Sequence, residues 1–259
     1  VAQGGEPAEE GNPGNDNIHQ HGDGTGNAQT ANGGGGNDTI RQQGAGGADV
    51  QTANGGTGTD HIRQLGGRGN DVQTTTGGDG DDRIIQRGKR GSDTLAADGG
   101  AGNDFIRQKG GSGLDTLTAS AGNGSDTVFQ HGGDGDDALI ADGGAGDDFL
   151  WLRGGSGADT LTANGGDGND TLWMLGGDGA DTFTYQVSPG TDQAVIRGGG
   201  GPDTATIYAN SQSFTLKDPL GATLYQQGTG GSTITAHSIR TLTVIGDNGV
   251  TVVYTGSVN

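Results

Sequence analysis

An aspartate recurs every eleven residues through most of this 259-residue chain. Each of these aspartates closes a glycine-rich stretch, and the repeating unit can be written Gly-Gly-x-Gly-x-Asp-x-U-x-x-x, where U is usually apolar; Gly165 to Leu175 is a clean copy. Eighteen units share one phase between Asp16 and Asp203, and Asn27 replaces the aspartate in one of them. A biased composition alone would not place aspartate at the same position of nearly all eighteen units, so the chain is predicted to be built from repeats.

Successive units differ in the residues that follow the aspartate. One kind carries Ile-Arg-Gln, as at 40–42 and 106–108, and the other carries a Thr-Ala pair, as at 118–119 and 162–163. Each unit divides into a six-residue glycine-rich turn, where glycine tolerates positive φ, and a five-residue segment suited to a short strand. A strand this short cannot bury itself alone, so the units are expected to coil and pair with equivalent strands in neighbouring turns. The alternation predicts 22 residues per turn and an all-β, flattened two-sheet β-solenoid of about nine turns.

The repeats divide the chain into three segments. An N-terminal extension occupies residues 1–10, the repeats occupy 11–208, and the glycine-rich turns stop after Asn210. Denser apolar alternation follows, at 213–216, 242–245 and 250–254. Because the open end of a solenoid exposes an unpaired strand edge, residues 209–259 are predicted to form a C-terminal β cap.

The iterated Gly-Gly-x-Gly-x-Asp-x-U-x core resembles the calcium-binding parallel β-roll of the repeats-in-toxin (RTX) family over about three quarters of the chain. The strand part departs from the family pattern, because it has five residues rather than three. The resemblance implies a secreted or cell-surface parallel β-roll, in which aspartate carboxylates and turn carbonyls of successive turns clamp several Ca²⁺ ions. Independently, oxygen ligands without cysteine or regularly spaced histidine suit Ca²⁺. The predicted metal ligands are Asp16, Asp38, Asp49, Asp60, Asp71, Asp82, Asp93, Asp104, Asp115, Asp126, Asp137, Asp148, Asp159, Asp170, Asp181 and Asp203.

An aspartate can also cap a turn, by accepting hydrogen bonds from local backbone amides. Capping of local amides does not require one phase over eighteen units, so the metal is the favoured interpretation. Residues 187–190 depart strongly from the turn pattern, and Asn27 has no carboxylate. Asp192 and Asn27 are therefore left out of the predicted ligands.

The charge of the chain is strongly negative, with 13 Lys and Arg against 32 Asp and Glu and a formal net charge of −19. Stacked turns would bring the repeated carboxylates to roughly 5 Å from one another, so the stack should not form without cations. The same net charge disfavours nucleic acid or an anionic membrane as a partner. No apolar run approaches about 18 residues, so no membrane span is expected.

The interior of the solenoid is predicted from the alternation of side chains across a strand. The eighth and tenth positions of each unit should point inward, and the seventh, ninth and eleventh outward. Inward positions hold glutamines such as Gln42, Gln51 and Gln64 in the N-terminal units, and apolar residues such as Leu152 and Leu161 later. Buried glutamines must be hydrogen-bonded, and stacked amides can bond to one another. The N-terminal turns are therefore expected to open before the C-terminal ones.

The outward positions of the Ile-Arg-Gln strands form a basic-aromatic face. From the strand that begins at residue 17 to the strand that ends at residue 175, none of these outward positions holds an acidic residue. Toward the C-terminal end it becomes aromatic, with Phe105, Phe129 and Phe149. Exposed arginine and tryptophan are frequent anchors, so this face is predicted to bind an anionic glycan, a cell-surface polymer or another protein. The alternative is that these are ordinary strand residues placed away from the acidic edges. The predicted binding residues are Arg41, Arg63, Arg83, Arg87, Arg107, Lys109, Trp151, Arg153 and Trp173.

The Thr-Ala strands present threonine and asparagine in columns. Such rows on a flat solenoid resemble the ice-binding faces of antifreeze proteins, with strands roughly 4.8 Å apart and alternate residues roughly 6.6 Å apart. Threonine is also simply a good exposed strand residue, and Ala96, Asp98, Ile140 and Asp142 interrupt the columns. The possible ice face comprises Thr30, Thr52, Thr74, Thr118, Thr162, Thr184, Asn32, Asn54 and Asn164.

Catalytic motifs are absent from the sequence, which has no His-Glu-x-x-His, no Gly-x-Ser-x-Gly and no phosphate-binding Gly-Lys-Ser/Thr. The sequence therefore favours a non-catalytic, adhesin-like binding or structural module that folds on Ca²⁺. Its partner is expected to be an anionic surface or glycan, and ice binding is the alternative.

Overall fold

The computed structural model describes residues 8–24, 26–218, 220–246, 249 and 251–258. Within these ranges all regular secondary structure is β-strand, arranged in two sheets of 12 strands each. Consecutive strands of the repeats lie in opposite sheets, and each pairs in parallel with the strand 22 residues away, as Thr127 pairs with Phe149. This is the two-sheet β-solenoid that the repeats predict, and it fits a parallel β-roll.

The strands are numbered in chain order, and neighbouring strands of a sheet follow one another in the two series below. Sheet 1 comprises β1 (Glu9–Glu10), β3 (Ala28–Gly35), β5 (Val50–Thr57), β7 (Val72–Asp79), β9 (Thr94–Ala101), β11 (Thr116–Asn123), β13 (Ala138–Ala145), β15 (Thr160–Asp167), β17 (Thr182–Gln186), β19 (Thr204–Tyr208), β23 (Ile239–Ile245) and β24 (Thr251–Val258). Sheet 2 comprises β2 (Asn17–His21), β4 (Thr39–Gln43), β6 (His61–Leu65), β8 (Arg83–Arg90), β10 (Phe105–Ser112), β12 (Thr127–Asp134), β14 (Phe149–Ser156), β16 (Thr171–Asp178), β18 (Gln193–Gly200), β22 (Ser232–His237), β20 (Phe214–Lys217) and β21 (Thr223–Gln227).

The solenoid has about ten turns rather than the nine expected. β22 and β23 pair in parallel with β18 and β19 and so complete a further turn. In this turn, Thr233 pairs with Gln193, 40 residues earlier, and Thr241 pairs with Thr204, 37 residues earlier. The 22-residue period therefore does not reveal it. Each sheet ends on an antiparallel pair, β23 with β24 and β20 with β21.

Most strands of the repeats have eight residues rather than the expected five. β12 ends at Asp134 and therefore includes the first three residues of the next glycine-rich stretch. Gly133 within it has a φ of +133°, and a Cβ there would collide with the carbonyl oxygen of Gly111, one turn earlier. Glycine thus permits the ladder to continue at a spacing that a side chain would prevent. Only a short corner such as 135–137 remains between strands.

Inward-facing glutamines form ladders along the N-terminal turns. In sheet 2, each side-chain amide donates to the side-chain carbonyl of the glutamine one turn earlier, as from Gln64 to Gln42 at 2.8 Å. In sheet 1, Gln51 donates to Gln29 at 2.8 Å, and the Thr75 hydroxyl donates across the interior to Gln64 at 2.8 Å. The predicted stacking of buried amides is confirmed. The sheet 2 ladder comprises Gln20, Gln42, Gln64, Gln86, Gln108 and Gln130.

Apolar packing divides the interior into two clusters. The smaller, near the N-terminus, comprises Ile18, Ala31, Ile40, Ala53 and Ile62. The larger extends from Ile84 to Val244 and includes the fully buried rings of Phe183, Tyr185 and Phe214. Because stabilisation by burial grows with apolar area, the C-terminal turns have the stronger core.

Amide hydrogen exchange should report this difference along the solenoid. We expect amides of β4 and β6 to exchange on the order of ten times faster than those of β14, β15 and β16, because the N-terminal turns open at a lower free energy. Mass spectrometry of peptides from the exchanged protein measures the rates. Stronger protection of the first three turns than of the last three would contradict this expectation.

Candidate functional site

The aspartates that end the glycine-rich stretches are buried in two rows. Except at the end of each row, the backbone amide of every aspartate donates to Oδ1 of the aspartate one turn later, as from Asp115 to Asp137 and from Asp137 to Asp159, both at 2.8 Å. These bonds connect turn after turn without interruption along both rows. One row runs from Asp16 to Asp192, and the other from Asn27 to Asp203.

This bond between turns changes the interpretation of the aspartate phase. The alternative to a metal was an aspartate that caps its own turn by accepting from local amides, for which constant phase is unnecessary. Oδ1 instead accepts from an aspartate in a different turn, whereas Oδ2 accepts from a local amide in three of the aspartates. The bond forms only when both residues occupy the same position of their units. Constant phase therefore follows from the stacking of turns and is not by itself an indication of a metal.

The second carboxylate oxygen, Oδ2, is the unusual feature of these rows. In 13 aspartates it is buried and has no hydrogen-bond partner among the described residues. Burial of a charged oxygen without a partner is costly, so these atoms need either a proton or a nearby positive charge. The 13 are Asp38, Asp60, Asp82, Asp93, Asp104, Asp115, Asp126, Asp137, Asp148, Asp159, Asp170, Asp181 and Asp203.

Four other aspartates of the rows show what satisfies this oxygen. In three of them, Oδ2 accepts a hydrogen bond of 2.6 to 3.0 Å from the backbone amide four residues earlier. These three are Asp16, Asp49 and Asp71. Oδ2 of Asp192 accepts from the hydroxyls of Tyr185 and Ser188, both at 3.1 Å. Asp192 lies in the turn that departs most from the repeat, so its unusual residues supply donors that the other turns lack.

Apart from that of Asp126, whose stretch opens on Ala121, each orphaned Oδ2 lies beside the glycine that opens its own stretch. A Cβ on Gly143 would collide with both Oδ2 of Asp148 and the carbonyl oxygen of Gly165, one turn later. A carboxylate oxygen and a carbonyl oxygen thus approach one another where glycine has no side chain to cover them. The same arrangement recurs at Gly33, Gly55, Gly77, Gly99, Gly110 and Gly176.

This set of donors consists of oxygen atoms alone, which suits a hard cation such as Ca²⁺. Among the described residues, no three Asp, Glu, His or Cys side chains group closely enough to hold a metal by themselves. A cation beside Oδ2 would therefore depend on carbonyl oxygens and water for most of its ligands. The residues fit such an ion in their chemistry and in the unmet need of Oδ2 for a positive partner.

Burial raises the pKa of many of these carboxyl groups, and the adjacent carboxylates of the row raise it further in most of them. The backbone amide bonded to each group opposes the shift without cancelling it. The carboxyl groups with a raised pKa therefore bind protons at a higher pH than ordinary aspartates do, and a nearby cation would favour release of those protons. The pKa is raised to about 7 in Asp82, Asp93, Asp137 and Asp148, and to about 6 in Asp104, Asp159 and Asp170.

The residue before each aspartate often belongs to a second ladder, which is exposed. Its side chain accepts from the amide of the equivalent residue one turn later, as Asp136 Oδ1 does from Ala158 at 2.7 Å. The side chain of Asn103 accepts from Ser125 in the same way, at 2.8 Å. The side chain of Asp136 is exposed to solvent, so this outer ladder connects the turns without burying charge.

The predicted basic-aromatic residues all lie on the outer surface of sheet 2. At the centre of the face, the ring centroids of Phe105 and Phe129 are 5.7 Å apart, and those of Phe129 and Trp151 are 6.1 Å apart. The Arg83 guanidinium lies over the Phe105 ring, 4.4 Å from its centroid. A groove of about 410 Å³ crosses this centre. It is lined by Phe105, Arg107, Gln108, Lys109, Phe129, Gln130, His131 and Trp151.

Sequence analysis missed Arg197, which extends this face. It pairs with Leu175 in the sheet, and its guanidinium lies 5.7 Å from the Trp173 ring centroid. Arg197 lies 22 residues after Leu175, so the repeat period alone would have identified it as the equivalent position of the next turn. Within the face, burial lowers the pKa of His131, and the nearby cations, Lys109 first, lower it further, so the ring is neutral at pH 7.

The predicted threonines lie on the outer surface of sheet 1, where Thr30, Thr52 and Thr74 are in register. Beside them, Asn54 donates to Asn32 at 3.2 Å, so the asparagine column is bonded to itself. The most regular threonines were predicted only in part: Thr162 and Thr184 were included, but their neighbours Thr160 and Thr182 were not, and β23 lies beyond the predicted end of the repeats at 208. On four adjacent strands, a Thr-x-Thr pair is stacked in register: Thr160 and Thr162, Thr182 and Thr184, Thr204 and Thr206, and Thr241 and Thr243.

No protein-family model matches this sequence, and comparison with curated proteins also finds no match. The chain is therefore defined by its structure, as a parallel β-solenoid with 22-residue turns and two buried aspartate rows. In the ranges that the structure describes, no helix is long and apolar enough to cross a membrane.

In the absence of divalent cations, acid should stabilise this fold. In the folded chain, seven of the orphaned carboxyls have pKa values of about 6 to about 7, whereas aspartates of an unfolded chain titrate at about 4. The stabilisation is complete below the unfolded value and is lost as pH rises through the folded values. In a chelating buffer, the fraction of folded chain, followed by far-ultraviolet circular dichroism, should therefore be larger at pH 5 than at pH 8. The reverse order would contradict the assignment of these carboxyls.

Proposed function

We propose that this protein is a secreted or cell-surface β-solenoid of the RTX type that folds with bound Ca²⁺ and acts as a non-catalytic binding module. Sheet 2 is its binding surface, and its ligand is an anionic glycan or cell-surface polymer. The observation that supports this best is the groove across sheet 2, which places aromatic rings and cations side by side. Both kinds of side chain are common anchors of binding surfaces.

The groove favours a ligand that is both anionic and ring-containing. Phe129 and Trp151 contribute flat apolar surfaces, whereas Arg107 and Lys109 contribute charge. A neutral polymer would leave the cations without counter-charge, and a small anion would leave the rings uncovered. A glycan with acidic groups uses both kinds of contact.

Calcium would be held at the 13 orphaned Oδ2 atoms, together with the glycine carbonyl oxygens that approach them. When bound, the ion supplies positive charge between carboxylates that otherwise need protons. Support comes from the unmet Oδ2 atoms, from the resemblance to RTX repeats and from Asp192, where two hydroxyls satisfy the same oxygen. By this criterion Asp192 needs no ion, and Asp16, Asp49 and Asp71 are weaker ligands than the 13.

Calcium dependence should be visible at pH 8, where protons cannot replace the ion. In a chelating buffer we expect the far-ultraviolet circular dichroism of a largely unfolded chain, and millimolar Ca²⁺ should restore the β signal reversibly. Mg²⁺ should be less effective, because it is smaller and loses its water reluctantly. A β spectrum at pH 8 that is independent of Ca²⁺ would overturn the calcium part of the proposal.

A matched pair of variants assigns the effect to the buried row. Asp137→Asn removes a buried carboxylate, so it should lower the number of bound Ca²⁺ ions and raise the Ca²⁺ concentration at half-folding. Asp136→Asn changes the exposed neighbour and should leave both quantities unchanged. Equilibrium dialysis gives the number of ions, and circular dichroism gives the midpoint. Equal effects of the two substitutions would show that general charge, and not the row, controls folding.

The threonines of sheet 1 favour a second candidate function, ice binding. The Thr-x-Thr pairs of β15, β17, β19 and β23 form two adjacent columns of four hydroxyls without interruption. Strands roughly 4.8 Å apart and alternate residues roughly 6.6 Å apart make this a regular grid on a flat surface. The grid resembles ice-binding faces of antifreeze proteins more closely than the columns of the N-terminal half do, because Ala96 and Ile140 interrupt those.

One substitution on each sheet separates the two functions. Trp151→Ala should weaken binding of a sulfated polysaccharide at least about tenfold, because a tryptophan anchor is lost, and should not affect ice. Thr184→Tyr should leave polysaccharide binding unchanged and should abolish any shaping of a single ice crystal. Unchanged polysaccharide binding by the tryptophan variant would contradict sheet 2 as the binding surface. A wild-type protein that does not shape ice would remove the second candidate.

A further inference from the structure

A basic column runs along the outer surface of sheet 2. Its cations are Arg87, Lys109 and Arg153 on β8, β10 and β14, and the neutral His131 occupies the same position of β12 between the last two. Parallel strands lie about 4.8 Å apart, so the column is about 14 Å long and follows the solenoid axis. Arg197 on β18 occupies the same position two strands further on.

The cations of this column have no protein partner in the described part of the chain. Arg87, Lys109 and Arg153 form no ion pair and no side-chain hydrogen bond with any described residue. Like charges in neighbouring strands repel one another, and the acidic residues that line the same groove, Asp134 and Asp178, form no ion pair with them. A bound anion would remove that repulsion.

An aromatic column runs beside the basic one, two residues away along each strand. Phe129, Trp151 and Trp173 occupy it on β12, β14 and β16. The three side chains are half-buried, so part of each ring is open to a ligand. Each of these three strands thus places an aromatic ring two residues from its position in the basic column.

Two grooves follow these columns across several strands. The first, of about 410 Å³, reaches from Phe105 to Trp151, and the second, of about 420 Å³, reaches from Lys109 to Asp178. Both include Lys109 and His131, so they adjoin one another. The floor of the second is glycine backbone, and its far wall carries Asp134, Ser156 and Asp178. That wall offers acceptors for hydroxyl groups.

We propose that the ligand of sheet 2 is a linear polysaccharide carrying carboxylate or sulfate groups, and that it lies along the solenoid axis across β8 to β18. This inference rests on the proposed function and specifies its ligand. The acidic groups pair with the basic column, the C–H faces of the sugar rings stack on the aromatic column, and sugar hydroxyls reach the far wall of the second groove. Because the turns repeat, a longer chain repeats the same contacts.

Other ligands use only part of this surface. A compact anion contacts one or two members of the basic column and none of the rings. Single-stranded nucleic acid has rings and charges, but its backbone has few hydroxyl donors to offer Asp134 and Asp178, whereas sugar rings carry several. The acidic wall therefore favours the polysaccharide.

Heparin oligosaccharides of defined length test this proposal on the full Ca²⁺-loaded chain. Trp151 and Trp173 are the only tryptophans of the protein, so intrinsic fluorescence reports directly on the face. Affinity should rise at least about tenfold from a disaccharide to a chain that spans the five strand spacings, about 24 Å, between Arg87 and Arg197, and then level off. Hyaluronan oligosaccharides of matched length distinguish carboxylate from sulfate recognition.

Substitutions in the column provide the second measurement. Lys109→Gln and Arg153→Gln should each weaken binding of a spanning oligosaccharide about fivefold, and the double variant should weaken it further. Arg240→Gln, which removes an exposed cation from β23 on sheet 1, is the matched control and should have no effect. Circular dichroism of each variant in Ca²⁺ verifies the fold.

Three results would overturn the proposal in different ways. Equal affinity for a disaccharide and a spanning oligosaccharide would exclude the linear site while leaving sheet 2 as a binding surface. Failure of every anionic oligosaccharide to bind would also remove the proposed function. If a single-stranded oligonucleotide of equal charge bound as tightly, with the same loss in the column variants, the polysaccharide would be the wrong ligand.

Discussion

The hydrogen bond from each buried aspartate amide to Oδ1 of the aspartate one turn later sets the geometry of the molecule, as between Asp137 and Asp159. It requires equivalent positions to lie directly above one another, which stacks every other position of the repeat in the same register. Stacked glycines then let carbonyl oxygens approach where a Cβ would collide, as at Gly133. Inward columns become glutamine ladders or apolar layers, and outward columns become the two faces. A single contact repeated at each turn thus determines both the core and the surface.

The same contact concentrates charge inside the solenoid. Of the 32 acidic residues, 17 stand in the two rows, and 13 of those have a buried Oδ2 without a partner among the described residues. The net charge of −19 is therefore a poor guide to the outer surface, since sheet 2 presents cations and aromatic rings between acidic edges. In the proposed function, stability and recognition therefore depend on different residues, with protons and cations acting on the rows and ligands on the faces.

The period revealed the architecture because it records a direct physical contact between turns. Strand alternation, the 22-residue turn, parallel pairing and buried glutamines such as Gln64 all followed from it. The eight-residue strands did not, because glycine has low strand propensity and joins the ladder only through its stacked neighbours. The turn formed by β22 and β23 was hidden because its strands lie 40 and 37 residues beyond their partners. The hydrogen bond to Oδ1 was not predicted, because capping was considered only within one turn, whereas Oδ1 accepts from an amide of another turn.

Both candidate surfaces lie over the strongest part of the core. The aromatic rings of β10 to β16 and the Thr-x-Thr pairs of β15 to β23 cover the large apolar cluster, whereas the glutamine-filled turns of β4 and β6 lie outside it. A rigid surface loses little conformational entropy when it binds, so columns held in fixed register gain affinity for any ligand with a matching repeat. Polymers and crystalline surfaces are such ligands, and a compact metabolite is not. The one-dimensional order of the fold therefore favours extended or periodic ligands for either of the two proposed binding surfaces.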